Sequence, residues 1–277
     1  MAILLDGRAL AAVIREKMKQ RIAILPSQPG LAVILVGTDP ASHTYVTIKQ
    51  KACEELGIRF EKFVYPANES EESILRQIQI LNTRKDIHGI LVQLPLPNQD
   101  TDRLIQAIDP KKDVDGFHPE NIARLKQGAI AIAPAVALGI MKLIDLAVKN
   151  VHGLRAVIVS SPLFAEPLVA LLNERRITVD VFQEESTELN VKTCCADILI
   201  VAEGHPALIT GDMVKPGAIV IDVGTTKRNK KLLGDVDQES VEPVAGFLTP
   251  VPGGVGPMTV AMLMVNVLKA YSLQNPK

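Results

Sequence analysis

A chain of 277 residues, 47% apolar and 22% charged, has room for one large or two modest domains and can bury a substantial core. Its 30 basic residues nearly balance 31 acids, and it has no Trp and only 3% aromatics, which argues against nucleic acid or a membrane surface as a partner. The three cysteines, Cys53, Cys194 and Cys195, show no metal-ligand spacing and read as reduced thiols of a cytoplasmic protein.

Apolar positions Leu10, Val13, Ile14, Met18 and Ile22 recur at helical spacing across 7–24. Leu31–Val36 reads as a strand. Asp39 is a good N-cap and Pro40 suits the first helical position, so a helix runs from Pro40 to Leu56, stopped by Gly57. Within it Tyr45 and Lys49 stand four apart, so a ring and an amine share one helix face. A strand at Arg59–Tyr65, a helix from about Ser70 to Thr83 and a strand at Ile87–Gln93 follow, ended by Leu94-Pro95-Leu96-Pro97. Gly128–Leu146 is the expected connector, carrying a buried helix. Its uncharged stretch to Met141 is too short to span a bilayer comfortably. A second alternating series has strands at Ala156–Val159, Thr178–Phe182, Ile198–Val201 and Ala218–Val223, with a helix at Ala165–Glu174. Lys227–Lys231 reads as a solvated hairpin or loop, and a last helix runs from Pro257 to about Tyr271. The alternation predicts an α/β fold of two domains, the second Rossmann-like with a parallel sheet. The expected boundaries are 1–133 plus 257–277 for the first domain and 134–256 for the second.

Four segments concentrate chemistry: Tyr45…Lys49, Val92–Pro97, Lys112-Asp113-Val114-Asp115-Gly116-Phe117, and Thr249–Thr259 with its Gly/Pro run. Singly, each has a structural explanation, such as a strand-end amide for Gln93 or a turn at Asp115 before Gly116. Together, in this order and spacing, they resemble the methylenetetrahydrofolate dehydrogenase/methenyltetrahydrofolate cyclohydrolase (FolD) family over nearly the whole chain. The resemblance implies two α/β domains flanking a cleft, a homodimer, tetrahydrofolate derivatives as substrates and NADP as cofactor. The scattered His43, His88, His118, His152 and His205, with no i, i+4 pair and no carboxylate at metal-ligand spacing, point to no metal. The resemblance further implies Lys49 as the catalytic lysine, Tyr45 as the residue stacking on the folate and Gln93 as the lysine's hydrogen-bond partner. Asp115 then anchors the pterin ring, and Pro252, Gly253, Gly256 and Pro257 belong to the loop closing the folate pocket. Ser160, Ser161 and Thr225 are the candidate cofactor-binding residues.

The second half departs from the family's pattern. The turn Val157–Pro167 has no glycine, whereas glycines normally let the backbone approach a pyrophosphate. Gln183-Glu184-Glu185-Ser186-Thr187 sets two acids where a basic or hydroxyl-bearing segment is usual, and Ala202-Glu203-Gly204-His205-Pro206 adds another. The entry Pro134–Gly139 loses a thiol, a hydroxyl and a proline. These differences predict NADP binding that is weakened, altered or lost, unless Arg155, Arg175 or Arg176 compensates. Two other readings stand beside the enzyme: a non-catalytic folate-binding or partner-binding paralogue, and a dehydrogenase whose acids select NAD.

Overall fold

The computed structural model describes residues 1–229 and 231–276. A short strand, β1 (Ile3–Leu4), precedes α1 (Gly7–Ala23). Strand β2 (Gly30–Val36) leads into α2 (Pro40–Leu56), whose first turn is fixed by Asp39: its carboxylate accepts from Ser42 N and Ser42 Oγ, both at 2.8 Å. Gly57 ends the helix in the left-handed region (φ 73°), where a side chain is disfavoured. Then come β3 (Arg59–Tyr65), α3 (Glu71–Thr83) capped by Ser70, β4 (Gly89–Val92), α4 (Thr101–Gln106), α5 (Pro119–Lys126) and α6 (Ala135–Ala147).

The second series is β5 (Arg155–Ser160), α7 (Pro162–Glu174), β6 (Thr178–Phe182), α8 (Leu189–Thr193), β7 (Ile198–Ala202) and β8 (Ile219–Asp222). A hairpin of β9 (Thr226–Arg228) and β10 (Lys231–Leu233) follows, so the expected basic hairpin forms, although its Lys230 lies outside the described residues. Helix α9 (Gln238–Val241), β11 (Phe247–Leu248) and α10 (Val255–Gln274) complete the chain. No described helix is long and apolar enough to cross a membrane.

The chain divides into two compact units, Met1–Ala11 with Val136–Thr259, and Ala12–Ala135 with Val260–Lys277. The first holds a six-stranded parallel sheet in the order β1-β11-β8-β7-β5-β6. Its inner strands are continuous Val/Ile/Leu runs, as expected of strands covered on both faces. The second holds the parallel sheet β3-β2-β4, in which all seven residues of β2 are buried.

The division into units differs from the expected boundaries at the N-terminus. Residues 1–11 belong with the Rossmann-like unit because Ile3 and Leu4 pair with Phe247 and Leu248, and Leu5 N donates to Leu248 O at 2.8 Å. A two-residue strand carries no periodicity to read.

Candidate functional site

Six residues of α2 turn inward: Ser42, Val46, Lys49, Ala52, Cys53 and Leu56. Lys49 therefore occupies a position on the helix's apolar stripe and is only 9% exposed. A buried ammonium needs a partner, and Lys49 Nζ donates to Gln93 Oε1 at 2.8 Å. Gln93, 8% exposed, follows directly on β4, and its Nε2 donates to Leu94 O at 2.7 Å. Both ends of the amide are engaged, so its oxygen stays turned to the lysine. Burial holds the Lys49 pKa below the usual lysine range, while the charge of Asp115 pulls it back up. Tyr45, one turn earlier, is 37% exposed.

Asp115 is held by its own neighbours. Asp113 is buried, and its carboxylate accepts from Gly116 N at 3.0 Å, His118 N at 2.8 Å and Asn121 Nδ2 at 3.2 Å. Lys112 is spent on the carbonyls of Leu81 (3.0 Å) and Arg84 (2.6 Å). Asn266 of α10 donates from one Nδ2 to Val114 O and Ala133 O, both at 2.9 Å, pinning the chain on either side of the turn. Gly116 (φ 89°) runs so near Ala133 that a Cβ would sit 2.5 Å from its carbonyl. Val114 fills the core against Gly89, which leaves Asp115 as the carboxylate of this segment without a structural hydrogen bond to a side chain among the described residues. Burial raises its pKa and Lys49 lowers it. Sequence reasoning gave a role to Asp115 but none to Asp113, which lies in the same segment, or to Asn121 and Asn266, which set its position.

Pro252, Gly253, Gly256 and Pro257 lie in the other unit, at the junction of the loop after β11 with α10. There Gly253 (φ 123°) accepts from Arg8 N at 3.0 Å, and Gly7 approaches Gly254 O too closely for any side chain.

In that same unit β5 lies between β7 and β6, so three turns share the carboxyl edge of the sheet. Ser161 caps α7 by position but makes no side-chain cap bond, and Pro162 follows it. Ser160 is wholly buried and donates to Ser161 O at 3.1 Å, so it shapes the turn. Thr225 is exposed just beyond β8. Glu184, after β6, lies 2.7 Å from His205 Nδ1. Glu203, after β7, has its N–H and that of Gly204 bound by Asp235 Oδ2 at 2.8 and 2.9 Å. Burial raises the Glu203 pKa, and Glu184 and Glu185 raise it further.

Residues 134–275 match the NAD(P)-binding domain of tetrahydrofolate dehydrogenase/cyclohydrolase, and residues 5–115 match its catalytic domain. The chain belongs to the tetrahydrofolate dehydrogenase/cyclohydrolase family. It is an enzyme of folate one-carbon metabolism. Two bifunctional FolD proteins, from Bordetella avium and a Nitratiruptor species, are each 48% identical to it, covering 97% and 96% of this chain and 97% of their own length. The FolD crystal structure from Campylobacter jejuni superposes with a TM-score of 0.95 at 42% identity, over 99% of both chains. That from Trypanosoma brucei, complexed with NADP and an inhibitor, gives a TM-score of 0.95 at 34% identity, over 100% of this chain and 99% of its own. The expected α/β class and Rossmann-like parallel sheet are both present in this member of the family.

Proposed function

We propose that the chain oxidises 5,10-methylenetetrahydrofolate with a nicotinamide dinucleotide and hydrolyses the methenyl product to 10-formyltetrahydrofolate, with Lys49 as the proton-transfer group. The observation that carries this reading is a buried lysine held by Gln93 and coupled to Asp115. The methenyl substrate is a cation with an electrophilic bridge carbon. A lysine biased toward its neutral form repels that cation less and can accept a proton from the attacking water. As an ammonium it returns that proton to the pterin nitrogen as the carbon–nitrogen bond breaks, while the hydroxyl proton of the intermediate passes to solvent as the formyl C=O forms. Gln93 holds the amine in one direction through both protonation states, since Oε1 is an acceptor whichever form faces it. Asp115 accepts from the N–H groups of the reduced pterin, and Tyr45 stacks on its flat face.

The family's NAD(P)-binding domain, and the NADP held by the Trypanosoma brucei relative, support NADP as cofactor. The first turn of α7 fits a pyrophosphate: its leading N–H groups have no partner within the helix, and the Ser161 hydroxyl is free of a capping role. Ser161 and Thr225 are the side chains offered to the dinucleotide, with Ser160 holding their turn. When bound, the nicotinamide supplies hydride acceptance. The free state of all three cysteines supports a cytoplasmic setting, and the family resemblance supports a homodimer.

The wild-type chain tests this directly. It should convert methylenetetrahydrofolate and a nicotinamide dinucleotide to reduced dinucleotide, and should separately discharge the methenyl chromophore. Failure to hydrolyse the methenyl compound while a folate analogue still raises the melting temperature would leave a folate-binding protein in place of an enzyme.

A further inference from the structure

The nucleotide edge of the Rossmann-like unit is chemically lopsided. Parallel sheets hold dinucleotides at their carboxyl edge, with an acid about twenty residues after the first turn accepting from the adenosine ribose 2′-hydroxyl, or a nearby arginine accommodating a 2′-phosphate. Here the first turn is Ser160–Pro162, and about two dozen positions later Glu184 follows β6, the strand beside β5. Glu203 closes the turn on the other side of β5, so the Ser160–Pro162 turn stands between two carboxylates. Asp235, wholly buried, clamps the Glu203–Gly204 turn through Oδ2 and leaves Oδ1 without a partner among the described residues. Glu203 Oε1 is likewise buried and has no hydrogen-bond partner among the described residues.

Three arginines of this unit, Arg155, Arg175 and Arg176, stand at the opposite edge. Arg155 is the first residue of β5, five strand steps or roughly 16 Å from Ser160, and is paired to Asp180 at 2.9 Å. Arg175 ends α7 and is bound to Asp145, and Arg176 precedes β6 at its amino end. Among the described residues, the cations at the carboxyl edge include Lys192, Lys227 and Arg228. Lys192 reaches toward Glu188 at 3.9 Å and lies over the Phe182 ring, while Lys227 and Arg228 are exposed on the hairpin beyond Thr226. His205, the basic group in contact with Glu184, is already its hydrogen-bond partner.

We infer that this member of the family takes the unphosphorylated dinucleotide, NAD, in preference to NADP, with Glu184 as acceptor for the ribose 2′-hydroxyl and Glu203 and Glu185 repelling a 2′-phosphate. The inference rests on the dehydrogenase reading and ranks the two cofactors that its NAD(P)-binding domain admits. A doubly charged phosphate brought beside two or three carboxylates meets a repulsion of more than about 1.4 kcal/mol at protein-surface dielectric, which is a tenfold change in affinity.

Calorimetric titration of the full-length wild-type protein with NAD and with NADP tests the ranking without requiring turnover. The expected result is NAD binding at least about tenfold tighter than NADP. In Glu184→Arg and Glu185→Lys the ratio should move toward NADP by about tenfold or more, with the melting temperature confirming that each variant is folded. Tighter binding of NADP by the wild type overturns the inference and leaves the dehydrogenase reading intact, as does an equal change in both affinities on substitution. Binding of neither nucleotide overturns both, and the methenyl hydrolysis assay then reports separately whether the folate half still works.

Discussion

Lys49 and Asp115 bias each other in opposite senses inside one unit. Burial lowers the amine and raises the acid, and each charge partly reverses the shift of the other. Burial thus biases the amine toward its neutral form, and the charge of each group partly restores the ionised form of the other.

This coupling has a sign that can be read in a pH profile. With Lys49 as the proposed base, kcat/KM for methenyl hydrolysis should rise as pH rises through its depressed pKa. Asp115→Asn removes the charge that holds the proton on Lys49. It should lower kcat/KM overall by weakening pterin binding, yet move the rise to lower pH. A rise that moves to higher pH, or not at all, would separate Asp115 from the lysine's titration.

Backbone space at the Asp115 turn gives a second test. Gly116 and Gly57 both have positive φ, 89° and 73°, but a Cβ on Gly116 meets Ala133 backbone at 2.5 Å whereas one on Gly57 meets nothing within 4 Å. Gly57→Ala should cost about 1 kcal/mol, the conformational penalty alone. Gly116→Ala should cost at least about 2 kcal/mol more and weaken folate-analogue binding, because the turn carrying Asp115 must shift. Urea midpoints and analogue titration of the two variants check both numbers.

A third prediction concerns the Rossmann-like unit. Asp222 is nearly fully buried, and burial, with Asp235 beside it, pushes its carboxyl up from 3.8 to about 7 against three backbone N–H donors. Between about pH 4 and 7 the folded chain keeps a proton that the unfolded chain has released. Stability contributed by this group is therefore present at low pH and lost as pH rises through about 7. The urea midpoint should fall between about pH 5 and pH 8, with at most about 4 kcal/mol from this residue, and fall less in Asp222→Asn. An identical pH slope in the variant would clear Asp222 of that role.

What the sequence made legible follows from range. Asp39, Pro40 and Gly57 are local signals, and α2 starts and ends where they say. The Val/Ile/Leu runs of β5, β7 and β8 are likewise self-contained signals. Lys49 against Gln93 is separated by 44 positions, and it was readable only because the surrounding motifs resemble a family. No such help existed for β1, whose pairing with β11 moves residues 1–11 into the other unit, or for Asn266, which reaches 152 positions to Val114. A two-residue strand and a lone helical asparagine have no periodicity to betray them.

The proposed mechanism assigns the hydrolysis to a buried amine, Lys49. Its most direct measurement is the rate of methenyltetrahydrofolate hydrolysis by Lys49→Ala beside the wild type, with folate-analogue binding measured on both. The account predicts a loss of at least about 100-fold in rate with the analogue still bound. Equal turnover by the two proteins would contradict it.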